Sequence, residues 1–264
     1  VFAGYDLFKE ARIRRWLAAA PDSRRRAGLL QKLYPYLASS PVASGGFAHR
    51  FFATGLDGVA DPLFAHQLRV RTTTRALRFL SPDWQARISA ADAEGRLRAS
   101  LPAGLAAWPA LGRDQYVEAT TLLPGYLLAA QGDRMAMAHG VEARHPFLDH
   151  RLIEWAGRLP PAYKLRALHE KLILKHAARD RLPAPLVARP KQPYRAPDVS
   201  PFVRGGRLVE QAAAHLDPVR IAAAGLFEPR AVAALVAKCC AGQAIGHGDR
   251  MAFLGILSTM ILHT

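Results

Sequence analysis

A disulfide framework, a membrane-length apolar run and a balance of charge are all missing from this sequence. Its 264 residues include two cysteines, Cys239 and Cys240, and these are adjacent. Adjacent cysteines rarely bond to each other because the geometry is strained, and no Cys/His spacing suits zinc. A reduced, cytoplasmic protein is the natural reading, with both thiols serving as small apolar side chains. The longest apolar stretch, residues 251–262, is too short to span a bilayer. It reads as a buried terminal helix. No basic-then-apolar leader is visible in Val1-Phe2-Ala3-Gly4-Tyr5. Acidic residues are scarce: 36 Lys and Arg face 21 Asp and Glu, a formal net charge of +15. Such an excess can mark a polyanion-binding surface. It also follows from an Ala/Arg/Pro/Gly-rich composition. The densest run is Arg24-Arg25-Arg26, and no aromatic stacking pattern accompanies the basic residues. Nucleic acid and membrane are therefore not the expected partners.

What is present is a helical pattern in a chain whose residues are half hydrophobic, enough for a sizeable core. No linker, internal repeat or parallel-strand series is evident, so residues 1–264 read as one mainly α region. Residues 5–19 have helical periodicity. So do residues 29–37, where Leu29, Leu33 and Leu37 recur every four positions. Residues 115–138 form another helical region, with a bend expected at Pro124-Gly125. Asp149 is a good N-cap for a helix that Pro160-Pro161 stops. Residues 170–181 read as helix, residues 189–201 as a Pro-rich ordered loop. Pro229 suits the first turn of a helix carrying Val232, Leu235 and Val236. Residues 249–263 read as the last helix.

The search for chemistry is mostly negative. Ser44-Gly45-Gly46-Phe47-Ala48-His49 begins like a pyrophosphate-cradling S-G-G-x-D-S loop, but its Asp-Ser end is missing. It reads as a plain loop. There is no Walker A sequence, no G-x-G-x-x-G and no G-x-S-x-G. His139, His145 and His150 lack ligand spacing, so no metal site is expected. The most unusual stretch is residues 132–149, where Asp133, Arg134, Glu142, Arg144 and Asp149 are interleaved with apolar residues. Charges in an apolar setting must pair. The stretch is thus either a structural ion-pair network or a wall of a polar substrate pocket.

Met137-Ala138-His139-Gly140-Val141-Glu142-Ala143-Arg144-His145-Pro146-Phe147-Leu148-Asp149 resembles the M-A-x-x-x-E-x-R-x-P-F-L-D signature of asparagine synthetases. Leu123-Pro124 with Leu127-Leu128 and Asp133-Arg134-Met135 resemble the family's L-P-x-x-L-L…D-R-M segment. Lys164-Leu165-Arg166 resembles its K-x-R step, and Glu170-Lys171 with Leu174-Lys175 its E-K-x-x-L-R helix. Arg189-Pro190-Lys191-Gln192-Pro193-Tyr194 and Gly246-His247-Gly248-Asp249-Arg250 are similar to later segments. The resemblance spans residues 123–262, and in combination the motifs are specific.

The resemblance implies the helical C-terminal part of an α/β, adenine-nucleotide α-hydrolase-like synthetase domain whose parallel sheet is mostly missing. Val1-Phe2-Ala3-Gly4-Tyr5 resembles the V-F-x-G-Y that follows an acidic G-E-G-x-D-E segment in the family. That segment, the phosphate loop and an N-terminal glutaminase domain would then lie upstream, and this chain alone would be inactive. The implied reaction is amidation of aspartate to asparagine through β-aspartyl-AMP, with ATP and Mg2+ as cofactors and glutamine-derived ammonia as nitrogen donor. Lys171 matches the family lysine that contacts the phosphates. Asp133, Arg134, Glu142, Arg144 and Asp149 are implied as pocket or scaffold, and Lys191 as an anion contact. A homodimer is left open. Two alternatives stay beside this reading: a paralogue amidating another carboxylate, and a non-catalytic interaction module with a basic surface.

Overall fold

The computed structural model describes residues 1–34, 45–191, 199–242 and 246–263. The chain is mainly helical, and its strands are two short antiparallel hairpins among the described residues. It divides into two compact units. The first comprises residues 1–67 and 102–193, the second residues 68–101 and 194–264.

In the first unit, α1 (Asp6–Ala18) is the organising element. It buries Leu7, Phe8, Ala11, Ile13 and Leu17, and also Asp6, Lys9, Glu10 and Arg14. A helix that buries charge must supply partners for it, and α1 does. Arg14, wholly inaccessible, donates to the backbone oxygens of Phe52 (3.2 Å), Phe64 (3.0 Å) and Thr54 (2.9 Å). Its guanidinium also lies over the Phe64 ring, 4.2 Å from the centroid. Arg15 forms a two-pronged pair with Asp114 at 2.7 Å, on α7 (Ala110–Thr120). Tyr34 donates to Glu10.

Helix α2 (Arg24–Gly28) starts at the basic run, with the Ser23 hydroxyl accepting from the Arg26 N–H. The periodic leucines that follow do not make the expected helix. Residues Leu29–Lys32 form one 3-10 turn, Leu33 is extended, and Leu37 lies outside the described residues. Leu30 and Leu33, three apart, are the buried pair, a spacing that suits the tighter turn. The expected plain loop at residues 44–49 also needs correction. Gly45 to His49 belong to α3 (Gly45–Phe52), whose last carbonyl Arg14 ties down; Ser44 lies outside the described residues.

The expected bend at Pro124-Gly125 takes the form of a change of helix type. After α7, Leu123–Asp133 winds as π-helix and Arg134–Ala138 as α8. Pro124 has no N–H to continue an α ladder. Asp149 caps α9 (His150–Arg158) as expected, accepting from the Arg151 N–H at 2.9 Å. Pro161 then opens a short turn, α10 (Pro161–Lys164). The helix expected over residues 170–181 begins later. Strands β1 (Leu165–Arg166) and β2 (His169–Glu170) pair antiparallel, so Glu170 is in a strand, and α11 (Leu172–Ala177) starts only after Lys171. A two-residue loop closes this hairpin, with Ala167 at φ 49°. Arg12 donates to the Leu165 and Ala167 carbonyls (2.8 and 3.1 Å), fixing the hairpin to α1. Helix α12 (Ala184–Ala188) follows.

The second unit contains α4 (Gln67–Thr74), whose first residue closes the first unit, then α5 (Pro82–Ala90) and α6 (Ala93–Ala99). Its later elements are the hairpin β3–β4 (Val203–Arg204 with Arg207–Leu208), α13 (Glu210–His215), α14 (Pro218–Ala224), α15 (Pro229–Cys240) and α16 (His247–Leu262). Its core is apolar: Phe79, Ile221, Phe227, Val232, Leu235, Phe253, Ile256, Leu257 and Met260 are buried together with Cys239. Pro229 starts α15 and the last helix buries one face, both as expected. Both cysteines are free, and burial pushes the Cys239 thiol up to about 11. No helix among the described residues is long and apolar enough to cross a membrane.

Replacing Arg14 by Met strands three carbonyls. The cost is expected to be at least about 3 kcal/mol, since each unpaired buried acceptor costs about 1–3. Urea unfolding of Arg14→Met against the parent chain measures it.

Candidate functional site

The residues that gather charge most densely are those around the root of the β1–β2 hairpin. Glu170, 3 % exposed, ends β2. One of its carboxylate oxygens meets the Lys9 ammonium at 3.0 Å. The other accepts from the Lys191 backbone N–H at 2.9 Å and faces the Lys175 ammonium at 3.4 Å. Lys9 is held in turn by Asp6, at 3.0 Å. Burial alone would push the Glu170 carboxyl up. The Lys191 N–H, its own backbone N–H and the Lys9 ammonium outweigh burial and bring it down to about 2. Burial likewise opposes the charge on Lys9, but its hydrogen bonds to Asp6 and Glu170 raise it overall.

Lys171 comes next in the chain, in the left-handed conformation (φ 54°, ψ 33°) at the N-cap of α11. Its N–H donates to the Phe2 carbonyl at 3.2 Å. A non-glycine residue held there is strained, and the Glu170 cluster before it and the Phe2 contact keep it in place. The half-buried side chain runs across the Gly4 backbone so closely that a Cβ at Gly4 would sit 2.5 Å from Lys171 Cε. Glycine at position 4 is thus the clearing through which the ammonium passes. Burial pulls the Lys171 pKa down, as do Lys191, Lys175 and Arg189, with Glu170 opposing. Among the described residues no acid forms an ion pair with it.

The structure brings Lys171 and Lys191 together on Glu170. The signature segment joins them through Phe2, whose ring packs edge-on against Phe147 at 6.0 Å and against Trp155 at 6.5 Å. The charges of that segment are exposed. Glu142 pairs with Arg144, and Asp133 lies 3.9 Å from His145. Arg134 is exposed on α8. Asp149, besides capping α9, binds the Arg151 side chain at 2.8 Å. That side-chain bond and the Arg151 N–H take its carboxyl to about 2. Among the described residues no group of three or more His, Cys, Asp and Glu side chains could hold a metal ion. A cavity of about 140 Å3 is lined by Arg12, Arg15, Asp114 and Leu165 among others, and Lys171 is not part of its wall. Sequence reasoning quoted Glu170, Lys164 and Gly4 as parts of resembling segments without giving any of them a role, and it passed over Lys9. Glu170 carried the further signal of being the acid directly before the candidate lysine.

A family model described as asparagine synthase matches residues 1–263. A Mycobacterium bovis protein, provisionally named a glutamine-hydrolysing asparagine synthetase, is 28 % identical over 216 residues, covering 80 % of this chain and 30 % of that protein. Glutamine-hydrolysing asparagine synthetase 3 of Bacillus subtilis is 31 % identical over 133 residues, 47 % of this chain and 21 % of that protein. Amidase chry2 of Gibberella zeae is 33 % identical over 110 residues, 39 % of this chain and 16 % of that protein. The chain therefore matches less than a third of the length of each of these relatives. No solved structure matches it.

The Glu170 carboxyl sets a pH dependence. Its pKa is depressed in the folded chain, so the stabilisation is complete above the ordinary value of 4.5 and is lost as pH falls from there through about 2. That shift corresponds to about 3 kcal/mol for a buried group. Unfolding free energy should fall over this window in the parent chain and fall distinctly less in Glu170→Gln, which starts from a lower stability at pH 7. Equal slopes would show that the cluster does not hold the fold.

Proposed function

The chain belongs to the asparagine synthase family, and on that premise we propose that it forms part of a glutamine-dependent asparagine synthetase. In that reading it is the helical portion of an adenine-nucleotide α-hydrolase-like synthetase domain, and the rest of the machinery comes from elsewhere in the full-length protein. The observation that carries the proposal is Lys171: a half-buried ammonium with no ion-paired acid among the described residues, held in a strained conformation with further cations near it. Such a group fits an anion, and triphosphate is the anion this chemistry requires.

ATP would supply the adenylyl group. An aspartate β-carboxylate oxygen attacks the α-phosphorus, the bond to pyrophosphate breaks, and β-aspartyl-AMP results. Ammonia released from glutamine then attacks the activated carbonyl, and AMP leaves. Lys171 serves the first step by facing the negative charge that grows on the phosphate oxygens, the electrostatic role in which a preorganised charge is most effective. Burial lowers the Lys171 pKa, and an approaching anion opposes that lowering. Lys191 and Arg189 add positive potential. The exposed pairs Glu142–Arg144 and Asp149–Arg151 have the character of scaffold. None of this chain's described side chains is assigned to Mg2+.

A second reading keeps the adenylation and changes the acceptor. It is favoured by the relatives from Gibberella zeae and Penicillium rubens, which are named amidases. A screen of carboxylate acceptors for pyrophosphate release by the full-length protein separates the two: aspartate alone supports the synthetase, another acid the paralogue.

Lys171→Ala is expected to lower acceptor-dependent AMP formation about 100-fold or more, the scale of losing one preorganised electrostatic contact. Gly4→Ala should lower it by a smaller factor while leaving the unfolding midpoint nearly unchanged, because the flexible lysine stem can swing away from the new methyl. Undiminished AMP formation in Lys171→Ala would remove the lysine from the chemistry.

A further inference from the structure

The cavity of about 140 Å3 lies wholly in the first unit, and its walls combine two kinds of chemistry. One part is apolar. Phe8, Leu111 and Leu165 line it, and all three are buried in one cluster with Ala3 and Leu7. The other part is cationic. Arg12 and Arg15 line it with Asp114, and these are its charged groups among the described residues. Phe8, Arg12 and Trp16 recur at four-residue spacing, so one face of α1 contributes to both parts.

The two guanidiniums are in different states. Arg15 commits Nη1 and Nη2 to the two oxygens of Asp114, at 2.7 Å each, so its charge is matched. Arg12 has no ion-paired acid among the described residues. Its Nη1 donates to the Leu165 and Ala167 carbonyls, which restrains the guanidinium beside the Leu165 part of the wall. Its Nε and Nη2 donate to nothing among the described residues, and neither is sealed from solvent. These two N–H groups share one edge of the guanidinium, a fork that matches the two oxygens of a carboxylate. Burial and then Arg15 oppose the charge on Arg12, and Asp114 favours it. The cavity thus carries one surplus positive charge.

We propose that this cavity binds a small monocarboxylate with an apolar body. The carboxylate sits in the open Nε–Nη2 fork of Arg12, and the body lies against Phe8, Trp16 and Leu111. An apolar cavity of about 150 Å3 accommodates benzene, so this one suits a body of about six carbons. One surplus charge and a planar fork match a monocarboxylate better than a phosphate dianion with its tetrahedral head. Neither the ligand nor its fork depends on the adenylation reading, since Lys171 is not part of this wall.

The test is calorimetric titration of sodium benzoate into the full-length protein at constant ionic strength, with benzamide and acetate as comparisons. Benzoate should bind at one site. Benzamide keeps the ring and loses the charge; it should bind at least about 10-fold more weakly, the scale of one charge-assisted hydrogen bond. Acetate keeps the charge and loses the ring; it should also bind at least about 10-fold more weakly, the scale of an apolar group left unburied. Because the chain carries a formal net charge of +15, acetate also reports any diffuse attraction for anions. Two variants place the site. Arg12→Lys keeps the charge and loses the fork, and should weaken benzoate about 10-fold or more. Ala110→Leu fills the cavity from α7 and leaves the Arg12 side chain unaltered. It should abolish benzoate binding while the unfolding midpoint holds. The proposal is overturned if benzoate does not bind, or if benzamide or acetate matches it. Undiminished benzoate binding in Arg12→Lys or in Ala110→Leu overturns it too. Should Arg12→Lys fail to fold, because lysine cannot hold the hairpin to α1, Ala110→Leu and the two comparison ligands decide.

Discussion

The Glu170 carboxylate is the point on which the candidate site depends. It is buried and ionised, and it stays ionised because three donors converge on it, the Lys191 N–H beyond α12, its own backbone N–H and Lys9 from α1, with Lys175 from α11 close by. Desolvation favours the neutral acid; three donors favour the anion, and the donors prevail. The consequence is geometric as much as electrostatic. With Glu170 fixed at the end of β2, the backbone turns sharply at Lys171 before α11 can begin. The adjacent lysine stem runs across Gly4. One carboxylate thus engages Lys9 and Lys175, and among the described residues Lys171 has no ion-paired acid. A plain surface cluster of lysines would not sort itself in this way, since exposed pairs exchange partners freely and gain little from any one of them.

How much of this is legible in the sequence depends on the range of the interaction. Helix starts set by a local cap are readable: Asp149 before α9 and Pro229 at the head of α15 are both where capping chemistry places them. The buried stripe of α16 is readable because one helix face carries it. The hairpin at residues 165–170 is not. Its four residues have no alternating pattern, and its loop is Ala167-Leu168 where Gly or Asn would signal a turn. The periodicity of Leu172 and Ile173 therefore extends backward and absorbs Glu170 into a helix that it does not join. The same limit applies at residues 45–52, where the helix is secured by Arg14, more than thirty positions earlier.

The site divides along the same line. The asparagine synthetase signature draws attention to residues 133–149, a conspicuous run of charge in sequence that turns out exposed. Lys171 was visible through its motif. The residues that control it, Lys9 and Gly4, stand more than 160 positions away, and nothing local distinguishes Lys9 from any other lysine. Lys164 is harder still. It sits in a K-x-R step that looks like a solvated turn, and only its burial sets it apart.

The two units differ in a way that bears on where chemistry can occur. Among the described residues, every buried charged or polar side chain is in the first unit: Asp6, Lys9, Glu10, Arg14, His66, Asp114, Glu118, Lys164 and Glu170. The second unit, with its own core from Phe79 to Met260, is closed by apolar packing, and its charged contacts, such as Asp249 with Arg78 and Lys238, lie nearer the surface. An apolar core is the less costly way to build a stable unit, since a buried ion pair often adds no more stability than a well-packed hydrophobic contact. The first unit departs from that economy at nine positions. Most of its buried charges are matched with partners, as Arg14 and Glu170 are, and serve to fix α1, α7 and the hairpin in one arrangement. Lys164 alone of the nine has no hydrogen bond or ion pair among the described residues. Burial opposes the charge of that ammonium without the compensation that Lys9 draws from Asp6 and Glu170.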